Sequence, residues 1–101
     1  MDTSGPSRVQ VEICVESPTD LRAAQAGGAD RVELCAALSV GGLTQSHAAL
    51  ASAAELGLLP VVALIRPRAG DFLYSAEEFA TLARDLVHAR ARVVEDQQEC
   101  L

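Results

Sequence analysis

The sequence predicts an α/β fold in which short strands alternate with helices around a parallel sheet. Three observations lead there. Apolar and polar residues alternate through residues 9–15 (VQVEICV) and again through 31–35 (RVELC), the period-2 spacing of a strand. Between these runs, SPTD carries the signals of a helix start and the Gly27-Gly28 pair those of a helix end. The order then repeats to give β-α-β-α-β-α, and strands joined through helices lie parallel.

The first strand, 9–15, places Val9, Val11, Ile13 and Val15 on one face and Gln10, Glu12 and Cys14 on the other. Ser17 is the N-cap of the helix that follows. Pro18 takes its first position, where a missing N–H is tolerated, and Asp20 closes a near capping box. RVELC is the second strand. The loop LSVGGLTQS leads to an alanine-rich helix that Gly57 closes. Pro60 precedes VVALIR, the third strand. Ser75 and Glu78 form a second capping box, and Phe79, Leu82, Ala83 and Leu86 then fall at i, i+3, i+4 and i+7 of an amphipathic helix. Residues 1–8 read as a flexible leader and 9–90 as the folded domain. The pattern is lost in the tail, 91–101.

Composition limits the function. The 101 residues suffice for one small domain or part of a larger one. The apolar half is mostly Ala, Val and Leu with 3% aromatic residues, which suits close packing of helices on a sheet. A net charge of −6 without a basic run argues against nucleic acid or an anionic membrane surface as partner. The N-terminus has no apolar signal segment, and the apolar run at 61–65 is too short to span a bilayer, so a cytoplasmic location is expected, with the nucleus also open. Three cysteines, an odd number, read as thiols rather than a disulfide framework.

Strand parity separates two faces. Val32 and Leu34 face the covering helices, leaving Arg31, Glu33 and Cys35 opposite, with Glu12 and Cys14 on that same side. In the third strand Val61, Ala63 and Ile65 take the helix side, and Val62, Leu64, Arg66 and Arg68 the other. Glu12 and Cys14 precede Glu33 and Cys35 by one common offset (33 − 12 = 35 − 14 = 21), so the two Glu-x-Cys pairs are expected at one height on neighbouring strands. A doubly wound sheet would be apolar on both faces. An inner face bearing carboxylates, thiols and an arginine instead fits a (β/α)₈ barrel, whose strand ends carry active sites.

The segments VEICVES, AGGADRVELCAALSVGGLTQS and LIRPRAGDFLYS resemble the CutC family, described as copper-homeostasis proteins with a TIM-barrel fold. The resemblance runs from about Val9 to about Arg90. It implies that residues 9–90 form the first three βα units of an eight-unit barrel and that the tail is divergent, the chain being a truncated form in which activity is in doubt. It departs at Val40, Gln45 and Ala69, where the family commonly has an acidic residue, proline and glycine. The resemblance also marks Cys14 and Cys35 as candidate ligands for copper as Cu(I), for which soft thiolates are suited. Two small apolar side chains filling barrel interior are the simpler account of the same residues.

A second function remains open: an enzyme acting on a small anion, with Glu12 or Glu33 as general base and Arg66 gripping the substrate. The alternative for these three is mutual neutralisation. Arg68 and Asp71 read as a loop brace, Gly41-Gly42 as a turn rather than a phosphate cradle, His47 and His88 as surface histidines, and Tyr74 as packing under its loop. Cys100 is expected to be an incidental thiol. With outer strands unpaired, the chain is expected to self-associate, and complete relatives to form homo-oligomers.

Overall fold

The computed structural model describes residues 9–93. Its elements run β1 (Glu12–Val15), α1 (Pro18–Ala26), β2 (Arg31–Leu34), α2 (His47–Leu56), β3 (Val61–Ala63) and α3 (Ala76–Val93), with a short 3₁₀ turn at Leu38–Val40 inside the β2–α2 connection. The strands form one parallel sheet in the order β1-β2-β3. The alternation read from the sequence is therefore present. The strands are shorter than expected: residues 9–11 precede β1, and β3 ends three residues before Arg66.

Local signals set the helix ends. Ser17 accepts from the Asp20 amide with Pro18 in the first turn, and Ser46 accepts from the Ala49 amide. Gly57, at φ 61°, closes α2 in the left-handed conformation that glycine adopts without steric cost. The capping box at α3 is complete: Ser75 Oγ accepts from the Glu78 amide at 3.1 Å, and Glu78 accepts from the Ser75 amide at 2.8 Å. That helix runs to Val93, past the Arg90 boundary expected for the domain.

The core lies between the sheet and the helices. Val15, Val32, Leu34, Val61 and Ala63 point into it from the strands, and Leu21, Ala24, Leu50, Ala53 and Ala89 from the helices. This is the expected parity for β2 and β3. For β1 it holds only at Val15. Val9, Val11 and Ile13 are exposed, because α1 covers only the upper part of the strand and no described element packs beyond it.

Candidate functional site

The inner face of the sheet carries the residues singled out for chemistry, in a register that departs from expectation. β1 and β2 pair Glu12 with Arg31 and Cys14 with Glu33, an offset of 19 rather than 21. Continued by one pair of positions, the same register sets Glu16 against Cys35. The two Glu-x-Cys pairs are thus not level. Cys35 stands two residues further along the strand direction than Cys14, and the thiols are diagonal neighbours. The reason is geometric: hydrogen-bond register is fixed by the path through α1 and its turns, not by sequence similarity.

Each group has a defined partner. Arg31 Nε donates to Glu12 Oε1 at 2.5 Å, so Glu12 is neutralised within its own row. The Cys14 thiol donates to Glu33 Oε1 at 3.4 Å and is solvent-exposed. Cys35 is fully buried and its thiol faces the Val15 carbonyl at 3.8 Å. Burial raises the Cys14 thiol pKa most, with further contributions from the Glu33 hydrogen bond and the charges of Glu33 and Glu12. Cys35 is pushed up to about 11, first by burial and then by the charge of Cys14, Glu33 and Glu16. Both thiols are neutral at pH 7.

A lid of loop covers Cys35. Gly42 has φ +97°, and a Cβ there would stand 2.8 Å from Leu64 Cδ2 and 3.7 Å from Cys35 Sγ. Only glycine allows the chain to pass this close. Gln45 fastens the lid: its Nε2 donates to the carbonyls of Cys35 (2.9 Å) and Glu16 (3.1 Å), and its Oε1 accepts from the Ser46 amide. Sequence reasoning missed this role, although an amide at an expected proline position was a signal. The Gly41-Gly42 pair is a turn of this lid, as read.

Arg66 does not join Glu12 and Glu33. Its guanidinium donates to the carbonyls of Val40 (2.8 Å), Gly42 (3.1 Å) and Gly70 (3.1 Å) and lies over the Phe72 ring, while its Nε is buried without a hydrogen bond among the described residues. It ties two loops together. Arg68 is the brace expected with Asp71, and more: it donates to Glu78 Oε2 at 2.7 Å and to the Leu73 carbonyl, with Tyr74 stacked beneath it. The Arg68 charge in turn holds the Glu78 carboxyl below its ordinary pKa. His47 and His88 are not independent surface residues. Their rings stack at 3.5 Å across α2 and α3, with His47 Nε2 3.5 Å from Asp85. Cys100 lies outside the described residues. Among those described, no three His, Cys, Asp or Glu side chains are grouped to hold a metal ion, and no helix is long and apolar enough to cross a membrane.

A parallel βαβαβα sheet with an apolar outer face and a charged, thiol-bearing inner face defines consecutive units of a TIM barrel. The chain belongs to the CutC family, whose family model matches residues 9–96. A CutC family protein of Sinorhizobium medicae is 55% identical over 85 residues, covering 84% of this chain and 34% of the relative, and one of Vibrio vulnificus is 49% identical over 81 residues. The crystal structure of a Streptococcus agalactiae CutC, named for a role in copper homeostasis, superposes with a TM-score of 0.75 at 34% identity, covering 82% of this chain and 41% of that one. The chain spans about a third of the length of the curated relatives it matches. Its fold corresponds to three βα units of their barrel.

Proposed function

We propose that this chain takes part in copper homeostasis by binding Cu(I) through Cys14 and Cys35. The observation that carries the reading is their diagonal placement on one face of the sheet, Cys14 on β1 and Cys35 just past the end of β2, close enough for the charge of one thiol to raise the pKa of the other. Two thiolates match the preference of Cu(I) for soft ligands and low coordination number, whereas the neighbouring carboxylates suit harder ions. Cys14, exposed, is the point of arrival. Cys35 becomes the second ligand when the Gly42 lid moves aside. Each thiol loses a proton on binding, and Glu33, already hydrogen-bonded to Cys14, is placed to accept the first.

The family name supports copper as cargo, and the geometry supports these two ligands over any other pair in the described residues. Anaerobic competition for Cu(I) against a chelator tests the proposal. Cys14→Ser and Cys35→Ser should each weaken binding by at least about a hundredfold, since a single thiolate holds the ion poorly. Cys100→Ser should leave it unchanged. Undiminished affinity in both of the first two variants would sink the copper site.

A further inference from the structure

We propose that Arg66 is a clasp through which the tip of the β3–α3 loop, residues 69–73, controls access to the buried Cys35 thiol. The lid over that thiol is built to move as one piece. The Val40 and Gly42 amides both donate to the Ala37 carbonyl and the Gly41 amide donates to that of Leu38, so residues 37–42 carry their own hydrogen bonds. A two-way bridge between Ala36 and Leu43 pins the ends together. Ala37 is held at φ 53°, a left-handed conformation unfavourable to a residue with a Cβ. The strain lies at the hinge, where a swing of the lid relieves it.

Arg66 holds the closed position. Its Nη1 donates to the Val40 and Gly42 carbonyls of the lid, and its Nη2 to the Gly70 carbonyl of the neighbouring loop. The fit depends on Gly41, at φ 94°, where a Cβ would stand 3.1 Å from Nη1. On its other side the guanidinium lies over Phe72, with its carbon 5.1 Å from the ring centroid. Phe72 is 69% exposed, and among the described residues no hydrogen bond or ring contact joins it to the lid directly. It bears on the lid through Arg66.

The second arginine interleaves with the first. Arg68 donates to the carbonyls of Ala69, Asp71 and Leu73, while Arg66 takes Gly70 and Phe72 between them. The two side chains grip alternate residues of one loop tip, so a shift of that tip reaches the lid. Arg66 is bound only to neutral carbonyls, and its buried Nε has no hydrogen bond among the described residues. The clasp thus lacks the carboxylate that would lock it, and local motion can release it. Its bearing on copper rests on the reading of Cys35 as a ligand: with the clasp closed, Cu(I) meets Cys14 alone.

The test needs no copper. Iodoacetamide labels the native 101-residue chain at fixed pH, and peptide mass spectrometry reads Cys14 and Cys35 separately. Cys35 should label far more slowly than Cys14, at a rate that low urea leaves unchanged, since lid opening exposes little surface. Phe72→Leu should speed Cys35 labelling about two- to fivefold by removing the ring from the cation. Arg66→Gln should speed it about tenfold, because one amide cannot span both loops. The double variant should match Arg66→Gln alone, since Phe72 acts through Arg66. Cys14, the internal control, should keep its rate throughout. Cys35 labelling that climbs with urea as steeply as global unfolding would overturn the inference. So would a wild-type rate in either single variant, a double variant whose two factors multiply, or equal changes at Cys14. Should Arg66→Gln fail to fold, Phe72→Leu, at an exposed position, still decides. Failure here leaves the copper reading to its own competition assay, and loss of the copper site leaves the clasp standing.

Discussion

The Cys14 thiol keeps its proton and donates it as a hydrogen bond to the Glu33 carboxylate, and that arrangement sets how the site responds to pH. Both thiols have pKa values raised in the folded chain, Cys35 to about 11, so at neutral pH an incoming ion must displace two protons. Apparent Cu(I) affinity should then rise steeply with pH, by up to about a hundredfold per unit between pH 6 and 8. Glu33→Gln removes the acceptor charge that favours the protonated thiol. It should lower the Cys14 pKa and move its alkylation-against-pH curve to lower pH. An affinity that is flat from pH 6 to 8 would rule out thiolate ligation. Folding is linked in the same direction. Raised thiol pKa values stabilise the folded chain while the thiols are protonated. For Cys35 that contribution is present below the ordinary thiol pKa of 9.0 and is lost as pH climbs through about 11.

Among the elements, the β3–α3 loop depends most on one side chain. Arg68 reaches Ala69, Asp71, Leu73 and Glu78 with three of its nitrogens, while the Leu73 side chain stays exposed. Arg68→Ala should raise cleavage of the loop between residues 69 and 73 several-fold in limited proteolysis. Arg68→Lys should behave the same way, because an ammonium cannot make the forked contacts. Wild-type cleavage rates in Arg68→Lys would refute the fork. Features of this kind were open to sequence reading because they are local: Ser75 and Glu78 are three residues apart, and so are Arg68 and Asp71. The β1–β2 register was not, since the repeated Glu-x-Cys obeys sequence spacing while the ladder obeys the length of α1 and its turns. Nor was the His47–His88 stack, which joins two helices whose relative rotation no single-helix pattern encodes.

For the molecule as a whole, strand parity carried most of the reading: Val32, Leu34, Val61 and Ala63 are buried on the side that it assigned. It failed at Val11 and Ile13, a face without cover among the described residues, since periodicity reports that a face is suited to burial and not whether anything lies on it.

The two-residue stagger between Cys14 and Cys35 has a consequence for oxidation. Adjacent parallel strands lie about 4.8 Å apart and two residues advance about 6.6 Å, which sets the two Cα atoms about 8 Å apart. A disulfide needs them within about 7 Å. Metal can span this diagonal through two long bonds to sulfur where a direct S–S bond cannot. Mild peroxide should therefore stop at a sulfenic acid on the exposed Cys14 and leave Cys35 as a free thiol. Mass spectrometry after dimedone trapping should find the adduct on Cys14 and no Cys14–Cys35 cross-link. A cross-link in the folded monomer would mean that the strands slip into the level register that the Glu-x-Cys echo suggests.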